Sequence, residues 1–184
     1  MYKAKTLKQI LYLLFIGILF GILKVEFFIT FIDSELTERT RIISYITLGL
    51  SSIFFYFVII LAVLSSYFTI DMLKLGSHFK INNFYKSINY FIWALMINEL
   101  WKFLLTIFTF KSMSNISTEE EFNSVLSDNS LWVELISLSD LLFISLGAVA
   151  YIIMLRKNEK NVNYLEVIIS TIPLFLSFVI FKIF

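Results

Sequence analysis

Five long apolar runs, separated by short charged segments, dominate the amino-acid sequence. The runs are Ile10–Ile32, Ile42–Ile70, Ile88–Phe110, Leu131–Leu155 and Tyr164–Phe184. A helix needs about 20 apolar residues to cross the roughly 30 Å hydrocarbon core of a bilayer, and every run reaches that length. The pattern therefore predicts an all-α, polytopic transmembrane bundle with five spans.

Composition argues against a soluble fold. Apolar residues make up 59% of the chain and the mean hydropathy is +0.85, against an apolar share of roughly 45–50% in soluble domains. A soluble protein of 184 residues has one modest core, which could not bury five such segments. The alternation of apolar and polar residues that marks a transmembrane barrel does not occur in the sequence. We therefore expect a single transmembrane domain over residues 1–184.

Charge and cysteine content exclude several function classes. The formal net charge is +1, which gives no electrostatic basis for nucleic-acid binding. Cysteine is absent, so disulfides, thiolate metal sites and thiol nucleophiles are excluded. His78 is expected to be a solvated loop residue rather than a metal ligand, because one His without Cys makes a poor metal site. We expect no metal and no cofactor.

The N-terminal run imitates a secretory signal peptide, with Lys3, Lys5 and Lys8 ahead of the apolar residues. The apolar run continues well past the length of a signal peptide, and no small-residue cleavage site follows it. We therefore expect it to be an uncleaved first span.

The distribution of Lys and Arg predicts the orientation of the chain, because these residues resist translocation across the membrane. The N-terminus and the second and fourth loops carry nine of them: Lys3, Lys5, Lys8, Lys74, Lys80, Lys86, Arg156, Lys157 and Lys160. The opposite side carries four: Arg39, Arg41, Lys111 and Lys182. The prediction is a cytoplasmic N-terminus and a C-terminus outside.

The segment between the second and third runs, Asp71–Ser87, interleaves apolar side chains with lysines. This composition suits the cytoplasmic headgroup layer. The predicted interfacial segment includes Lys74, His78, Lys80, Tyr85 and Lys86. The second run is about 29 residues long, too long for an upright crossing, so its helix must tilt or project toward this segment.

Few local signals mark the ends of helices. Asp128 and Ser130 are candidate caps of the fourth span, as acceptors for its free N–H groups. Pro173 lies inside the fifth span, where its missing N–H predicts a kink.

A particular layout follows the second run. Its parts are the segment Lys74–Lys80, the residues Phe84–Ser87 that open the third span, the central pair Asn98 and Glu99, the small residues Gly147 and Ala148 in the fourth span, and the basic turn Arg156–Lys160. Over roughly residues 42–184 this layout resembles the Yip family of five-span membrane proteins.

The resemblance implies an architecture and a kind of partner. It implies a cytoplasmic N-terminus and a C-terminus outside, in agreement with the lysine distribution. Eukaryotic members of the family interact with Rab-type GTPases, and some bacterial relatives work beside ABC-type exporters of peptides. Heavy use of Phe, Ile, Lys and Asn suggests an AT-rich bacterial genome, so we expect a multi-pass protein of the bacterial cytoplasmic (inner) membrane.

Ionisable side chains inside apolar runs are costly and therefore mark candidate functional positions. The candidate intramembrane polar site comprises Lys24, Glu26, Asn98, Glu99, Lys102 and Asp140. Glu99 and Lys102 are three residues apart on one helix face and are expected to form an ion pair. Lys24 and Glu26 point in different directions, so each needs its own partner.

Three interpretations of these charges are open. The favoured one is structural: Glu99 and Lys102 pair inside the bundle, and Lys24 neutralises Asp140 or Glu26. The second is a polar cavity or proton path through Lys24, Glu99, Lys102 and Asp140. In the third, another subunit satisfies the charges.

Motifs for catalysis are absent from the sequence, which contains no H-E-x-x-H, no G-x-S-x-G and no phosphate-binding loop. The remaining catalytic alternative is an intramembrane hydrolase with Glu99 and Asp140 as an aspartyl-type dyad.

We expect a non-catalytic scaffold, accessory or immunity-type subunit. The most specific form of this expectation places it beside an ABC-type exporter. Its partners would be the lipid bilayer and a membrane protein or a second copy of the chain. The alternative function is a homo-oligomeric ion or proton channel, or a small transporter, that uses the embedded charges.

Overall fold

Each of the five apolar runs contributes almost all of its described residues to a long helix. The computed structural model describes residues 2–31, 34–73, 80–111, 121, 124–125, 128–159 and 163–183. Its long helices are α1 (Tyr2–Ile29), α2 (Ser34–Leu73), α3 (Ile81–Phe110), α4 (Ser130–Asn158) and α5 (Tyr164–Ile183). No strand occurs in these ranges, so the expected all-α class is confirmed.

Four of the helices are long and apolar enough to cross a membrane. The qualifying stretches are Ala4–Ile29, Glu38–Leu73, Ile81–Phe110 and Ser130–Asn158, with mean hydropathies between 1.5 and 2.4. In α5 the part of the helix whose side chains are described, Tyr164–Leu176, is also apolar. The chain is thus a helical membrane protein with four candidate spanning helices, and the fifth crossing and the orientation of the termini stay predictions.

Several helices extend beyond the apolar runs that predict them. α1 begins at Tyr2 rather than near Ile10, and α3 begins at Ile81 rather than at Ile88. α2 is 40 residues long, equivalent to about 60 Å of helix. Hydropathy misses these polar turns because Lys, Glu and Asn continue a helix readily where their side chains reach water or a neighbouring helix.

Successive helices alternate in direction and form a ring. α1 packs mainly against α2 and α3, α3 also packs against α4, and α5 lies between α4 and α2. Near the starts of α1 and α3, Thr6 donates to Asn89 Oδ1 at 2.8 Å, so these two helices run parallel. Near the end of α1, Glu26 pairs with Arg41 near the start of α2, so those two run antiparallel. We call the end where α1 and α3 begin the N-terminal end of the bundle.

The apolar core fills the half of the bundle nearest that end. Its largest fully buried side chains are Leu13, Ile59, Ile70, Phe84, Ile88, Phe91, Ile92, Tyr151, Leu155 and Leu174. Large apolar side chains also cover the outside, as expected where lipid replaces water as the solvent; Ile53 is 68% exposed and Phe108 is 72% exposed. The charged residues of the candidate site lie beyond the apolar core, toward the opposite end.

Close packing of α3 on α4 depends on one glycine. A Cβ atom at Gly147 would lie 2.9 Å from Phe91 Cδ2 and 3.1 Å from Ala94 Cβ. A side chain at this position would require Phe91 or one of the two helices to shift, because the first distance is shorter than real Cβ contacts and the second is tight. The glycine therefore sets the separation of the helices that carry Glu99, Lys102 and Asp140.

Helix ends are stabilised differently from the prediction. Asn129 occupies the N-cap position of α4 and makes no side-chain capping bond, so the expected capping role of Asp128 or Ser130 is wrong. Pro173 lies inside α5 as predicted, and its kink stays a prediction. At the start of α3 the acceptor for a free backbone N–H group is the carboxylate of Glu159, which directly follows the end of α4.

Glu159 receives the free donors of the first turn of α3. Its Oε1 accepts from the Lys80 backbone N–H at 2.9 Å and from Asn83 Nδ2 at 2.8 Å. The residue is 8% exposed. Because an acidic group beside a helix N-terminus also complements the positive end of the helix dipole, this contact fastens the end of α4 to the start of α3.

Candidate functional site

Four charged side chains from three helices meet inside the bundle. Lys24 comes from α1, Glu99 and Lys102 from adjacent turns of α3, and Asp140 from α4. We call these four residues the charge cluster. Lys102 lies about 12 Å along α3 from the end of that helix at Phe110, so the cluster is well inside the apolar stretch.

Lys102 is the centre of the charge cluster. Its Nζ lies 2.5 Å from Glu99 Oε1 and 3.3 Å from Asp140 Oδ1. The side chains are mostly buried, with exposed fractions of 14% for Lys102, 12% for Glu99 and 20% for Asp140. Asn98 donates from Nδ2 to Asp140 Oδ1 at 2.6 Å. The ion pair predicted from the spacing of Glu99 and Lys102 is present, and α4 adds a second carboxylate to it.

Lys24 balances the charge of the cluster from α1. It lies in Coulombic range of Glu99, Lys102 and Asp140, and it lines the cavity beside them. Two lysines and two carboxylates give the cluster a formal charge of zero. Among the described residues Lys24 forms no ion pair with either expected partner, Asp140 or Glu26; the acid that acts on it most strongly is Glu99, and Asp140 acts on it more weakly.

Glu26, the other expected partner, belongs to a different contact. Its Oε1 lies 3.3 Å from Arg41 Nε and also accepts from the Tyr45 hydroxyl. Both partners come from the N-terminal third of α2, and the ion pair is over 40% exposed on each side. Glu26 therefore joins α1 to α2 near their connection and takes no part in the charge cluster.

A cavity of about 170 Å³ lies beside the charge cluster, between α1, α2 and α3. Lys24, Glu99 and Lys102 form its charged wall, while Ser51 and Ser52 of α2 supply hydroxyl groups opposite. Asp140 is not part of the lining. The volume and the polar wall suit several water molecules.

Two glycines of α1 keep the α1–α2 contact close at this cavity. A Cβ atom at Gly17 would collide with the Tyr56 hydroxyl, and one at Gly21 would collide with the Leu48 side chain. The same Tyr56 hydroxyl donates to the Leu13 carbonyl at 2.5 Å. Small residues at helix contacts allow the backbones to approach closely, as is usual in membrane bundles.

Three aromatic side chains lie between the charge cluster and the end of the bundle opposite the N-terminal end. Phe28 of α1, Phe110 of α3 and Trp132 of α4 pack edge to face, with ring centroids 5.0 Å, 5.2 Å and 6.5 Å apart. Phe110 is 2% exposed. The group, which we call the aromatic cap, separates the charges from that end of the bundle with apolar rings.

Part of the predicted interfacial segment lies among the described residues, and its position in the headgroup layer stays a prediction. Tyr85 and Lys86 belong to the first turns of α3, next to Phe84, which is fully buried in the core, and Lys86 is exposed. Lys80 precedes α3 at its N-cap position and is exposed. Lys74 and His78 lie outside the described residues.

Sequence reasoning missed the residues that shape the site without carrying charge. Gly17, Gly21 and Tyr56 lie at the contact between α1 and α2. Gly147 lies at the contact between α3 and α4. The four-residue spacing of Gly17 and Gly21 is a signal for close helix contact that could have been used. Tyr56 carries no such signal, because its partner lies on another helix.

Comparison of the chain with protein-family models, with curated proteins and with solved structures finds no match. The chemistry of the site must therefore be argued from its own geometry. A neutral, largely buried group of two acids and two lysines can fasten three helices together, since removing one member leaves an uncompensated charge in a medium of low dielectric constant. The same carboxylates could exchange protons only if water reached them from both sides of the membrane.

Proposed function

We propose that this protein is a non-catalytic integral membrane protein that works by binding other membrane components, as a scaffold, accessory or immunity-type subunit. The observation that carries the proposal is the internal neutralisation of the charge cluster. Lys102 forms ion pairs with both acids, and Lys24 lies in Coulombic range of the same two carboxylates. The embedded charges then act as fasteners for the bundle, and they need neither a substrate ion nor a second subunit for compensation.

The aromatic cap supports the same proposal. Phe28, Phe110 and Trp132 lie between the charges and one end of the bundle, whereas a transport path needs access from both ends. The alternating direction of the helices also agrees with the five-span layout that the resemblance to the Yip family implies. We extend the proposal to a place in a bacterial cytoplasmic membrane, beside an ABC-type exporter of peptides.

Single-cysteine cross-linking tests the proposal, because the chain has no native cysteine. Cysteines at outward positions of different helices, such as Phe15, Ile53 and Leu138, would be treated in native membranes with a short bifunctional reagent. A bound partner or a second copy should give a discrete cross-linked band from one face of the bundle only. Ile59→Cys, at a position 2% exposed on the same helix as Ile53, is the control that should give none.

The absence of a discrete cross-linked band from all three outward positions would contradict the proposal. In that case the outer surface contacts lipid on every side, and the protein does not work by binding another membrane protein.

The second candidate function is a homo-oligomeric channel or a small transporter. One observation favours it: the cavity of about 170 Å³ that Glu99, Lys24 and Lys102 line. An acid and two lysines beside a water-sized space are components of a proton path. Flux across a reconstituted membrane separates this candidate from the scaffold.

A further inference from the structure

A second cleft, separate from the charge cluster, lies at the N-terminal end of the bundle. It forms between the first turns of α1 and α3 and has a volume of about 250 Å³. Its lining consists of Lys5, Gln9, Lys86, Asn89, Tyr90 and Trp93. None of these residues contacts the charge cluster, which lies toward the other end of α3.

The cleft carries an uncompensated positive charge. Lys5 and Lys86 are both exposed, and neither forms an ion pair within the part of the chain that the structure describes. The lining contains no carboxylate. Two lysines from different helices that face one cleft without an acid favour a ligand with negative charge.

Two buried amide side chains form the floor of the cleft. Gln9 is 9% exposed, and its Oε1 is buried without a hydrogen-bond partner. A buried polar atom without a hydrogen-bond partner destabilises the structure, so Gln9 suits a ligand that brings a donor. Asn89 is 7% exposed and accepts from Thr6 through Oδ1 at 2.8 Å, which leaves its Nδ2 group as a donor for the ligand.

Two aromatic residues extend the cleft toward the middle of the membrane. Tyr90 and Trp93 follow Lys86 by one and two turns of α3, and they are 42% and 51% exposed. Tyr and Trp are typical of the level where headgroups meet the hydrocarbon of a bilayer. The charged part of the cleft therefore lies at headgroup depth, with aromatic rings below it.

We propose that this cleft binds the headgroup of an anionic phospholipid whose phosphodiester is followed by hydroxyl donors, as in phosphatidylglycerol. Lys5, Lys86 and the Asn89 amide contact the phosphate oxygens, and a headgroup hydroxyl donates to Gln9 Oε1. A headgroup that ends in an ammonium group fits less well, since the two lysines repel it and no carboxylate receives it. The shared chemistry is that of a phosphate anion, and the aromatic rings favour a lipid as its source over free phosphate.

The test measures lipid binding to the full-length, delipidated protein in detergent by native mass spectrometry and by thermal unfolding. The probes are phosphatidylglycerol, phosphatidylethanolamine and inorganic phosphate. Phosphatidylglycerol should bind in preference to phosphatidylethanolamine, and inorganic phosphate should not raise the unfolding temperature. The double variant Lys5→Gln/Lys86→Gln should weaken phosphatidylglycerol binding by roughly tenfold or more.

Two further variants separate this site from general attraction of lipid to positive charge. Lys8→Gln/Lys157→Gln removes the same charge from two positions outside the cleft and should leave the preference intact. Gln9→Leu leaves the charge unchanged and should reduce the preference for phosphatidylglycerol. Equal losses from both lysine pairs, an unchanged preference in Gln9→Leu, or stabilisation by inorganic phosphate equal to that by the lipid would each overturn the proposal.

Discussion

At the residue scale, the arrangement of the buried charges depends on Lys102. One ammonium group contacts carboxylates on its own helix and on α4, at 2.5 Å from Glu99 and 3.3 Å from Asp140. The pairing within α3 follows from a three-residue spacing and could be predicted from the sequence. The contact with Asp140 could not, because it depends on how α3 and α4 are aligned along their length.

A double-mutant cycle measures whether Glu99 and Lys102 stabilise the fold as a pair. Glu99→Gln leaves two lysines facing Asp140 alone, so it should lower the free energy of unfolding by about 1–3 kcal/mol. Adding Lys102→Met should recover much of that loss, because the uncompensated charge is removed as well. Unfolding by a denaturing detergent, followed by circular dichroism, gives the free energies. If the single and double variants are equally harmless, the two charges are not coupled.

At the element scale, glycine positions and helix-end contacts set how the helices pack. Apolar runs in the sequence locate all five helices, but their ends differ because polar turns extend α1, α2 and α3. The alignment of α3 on α4 follows from the contact of Gly147 with Phe91 and from that of Glu159 with Lys80. Both contacts join residues more than 50 positions apart, so no local pattern indicates them.

The close approach of α3 and α4 predicts an asymmetric response to alanine. Gly147→Ala should lower the free energy of unfolding by about 1–3 kcal/mol, since the new methyl group meets Phe91 and Ala94. Gly49→Ala is the matched control, because nothing lies within 4 Å of a Cβ atom there. It should be neutral or stabilise by up to about 1 kcal/mol through helix propensity. The expectation is wrong if both variants unfold at the same detergent concentration.

The contact between Glu159 and the start of α3 predicts a second difference. Glu159→Ala should lower the free energy of unfolding by about 1–3 kcal/mol, because Lys80 N–H and Asn83 Nδ2 lose a charged acceptor in a buried position. Glu166, which accepts from the Asn163 N–H at 3.0 Å in an exposed contact, is the control. Glu166→Ala should cost less, about 1 kcal/mol or below. If the two variants lower the unfolding temperature equally, the buried Glu159 contact stabilises the fold no more than the exposed Glu166 contact does.

At the scale of the whole molecule, the ring of alternating helices encloses three successive regions. The apolar core lies nearest the N-terminal end, the charge cluster follows it, and the aromatic cap lies beyond the cluster. The membrane class and the candidate charged residues could be predicted from hydropathy and from the cost of embedded charges. Which charges meet could not, since it depends on the order of helices around the ring.

The lysine distribution predicts the orientation of this ring in the membrane. A reporter fused after Phe184 should behave as non-cytoplasmic, because nine basic residues flank the opposite side and four flank this one. An alkaline phosphatase fusion should then be active and a green fluorescent protein fusion dark. A fluorescent C-terminal fusion would overturn the prediction of five spans that start from a cytoplasmic N-terminus.

The central claim is that the embedded charges fasten the bundle and do not carry ions. Purified protein in liposomes that contain a pH-sensitive dye, under a potassium gradient with valinomycin, tests it most directly. Wild type and Asp140→Asn should both show the proton flux of protein-free vesicles, because the cluster is neutral within the chain and the aromatic cap covers one side of it. A clear flux through wild type that Asp140→Asn abolishes, with the fold retained, would contradict the claim and establish the channel or transporter instead.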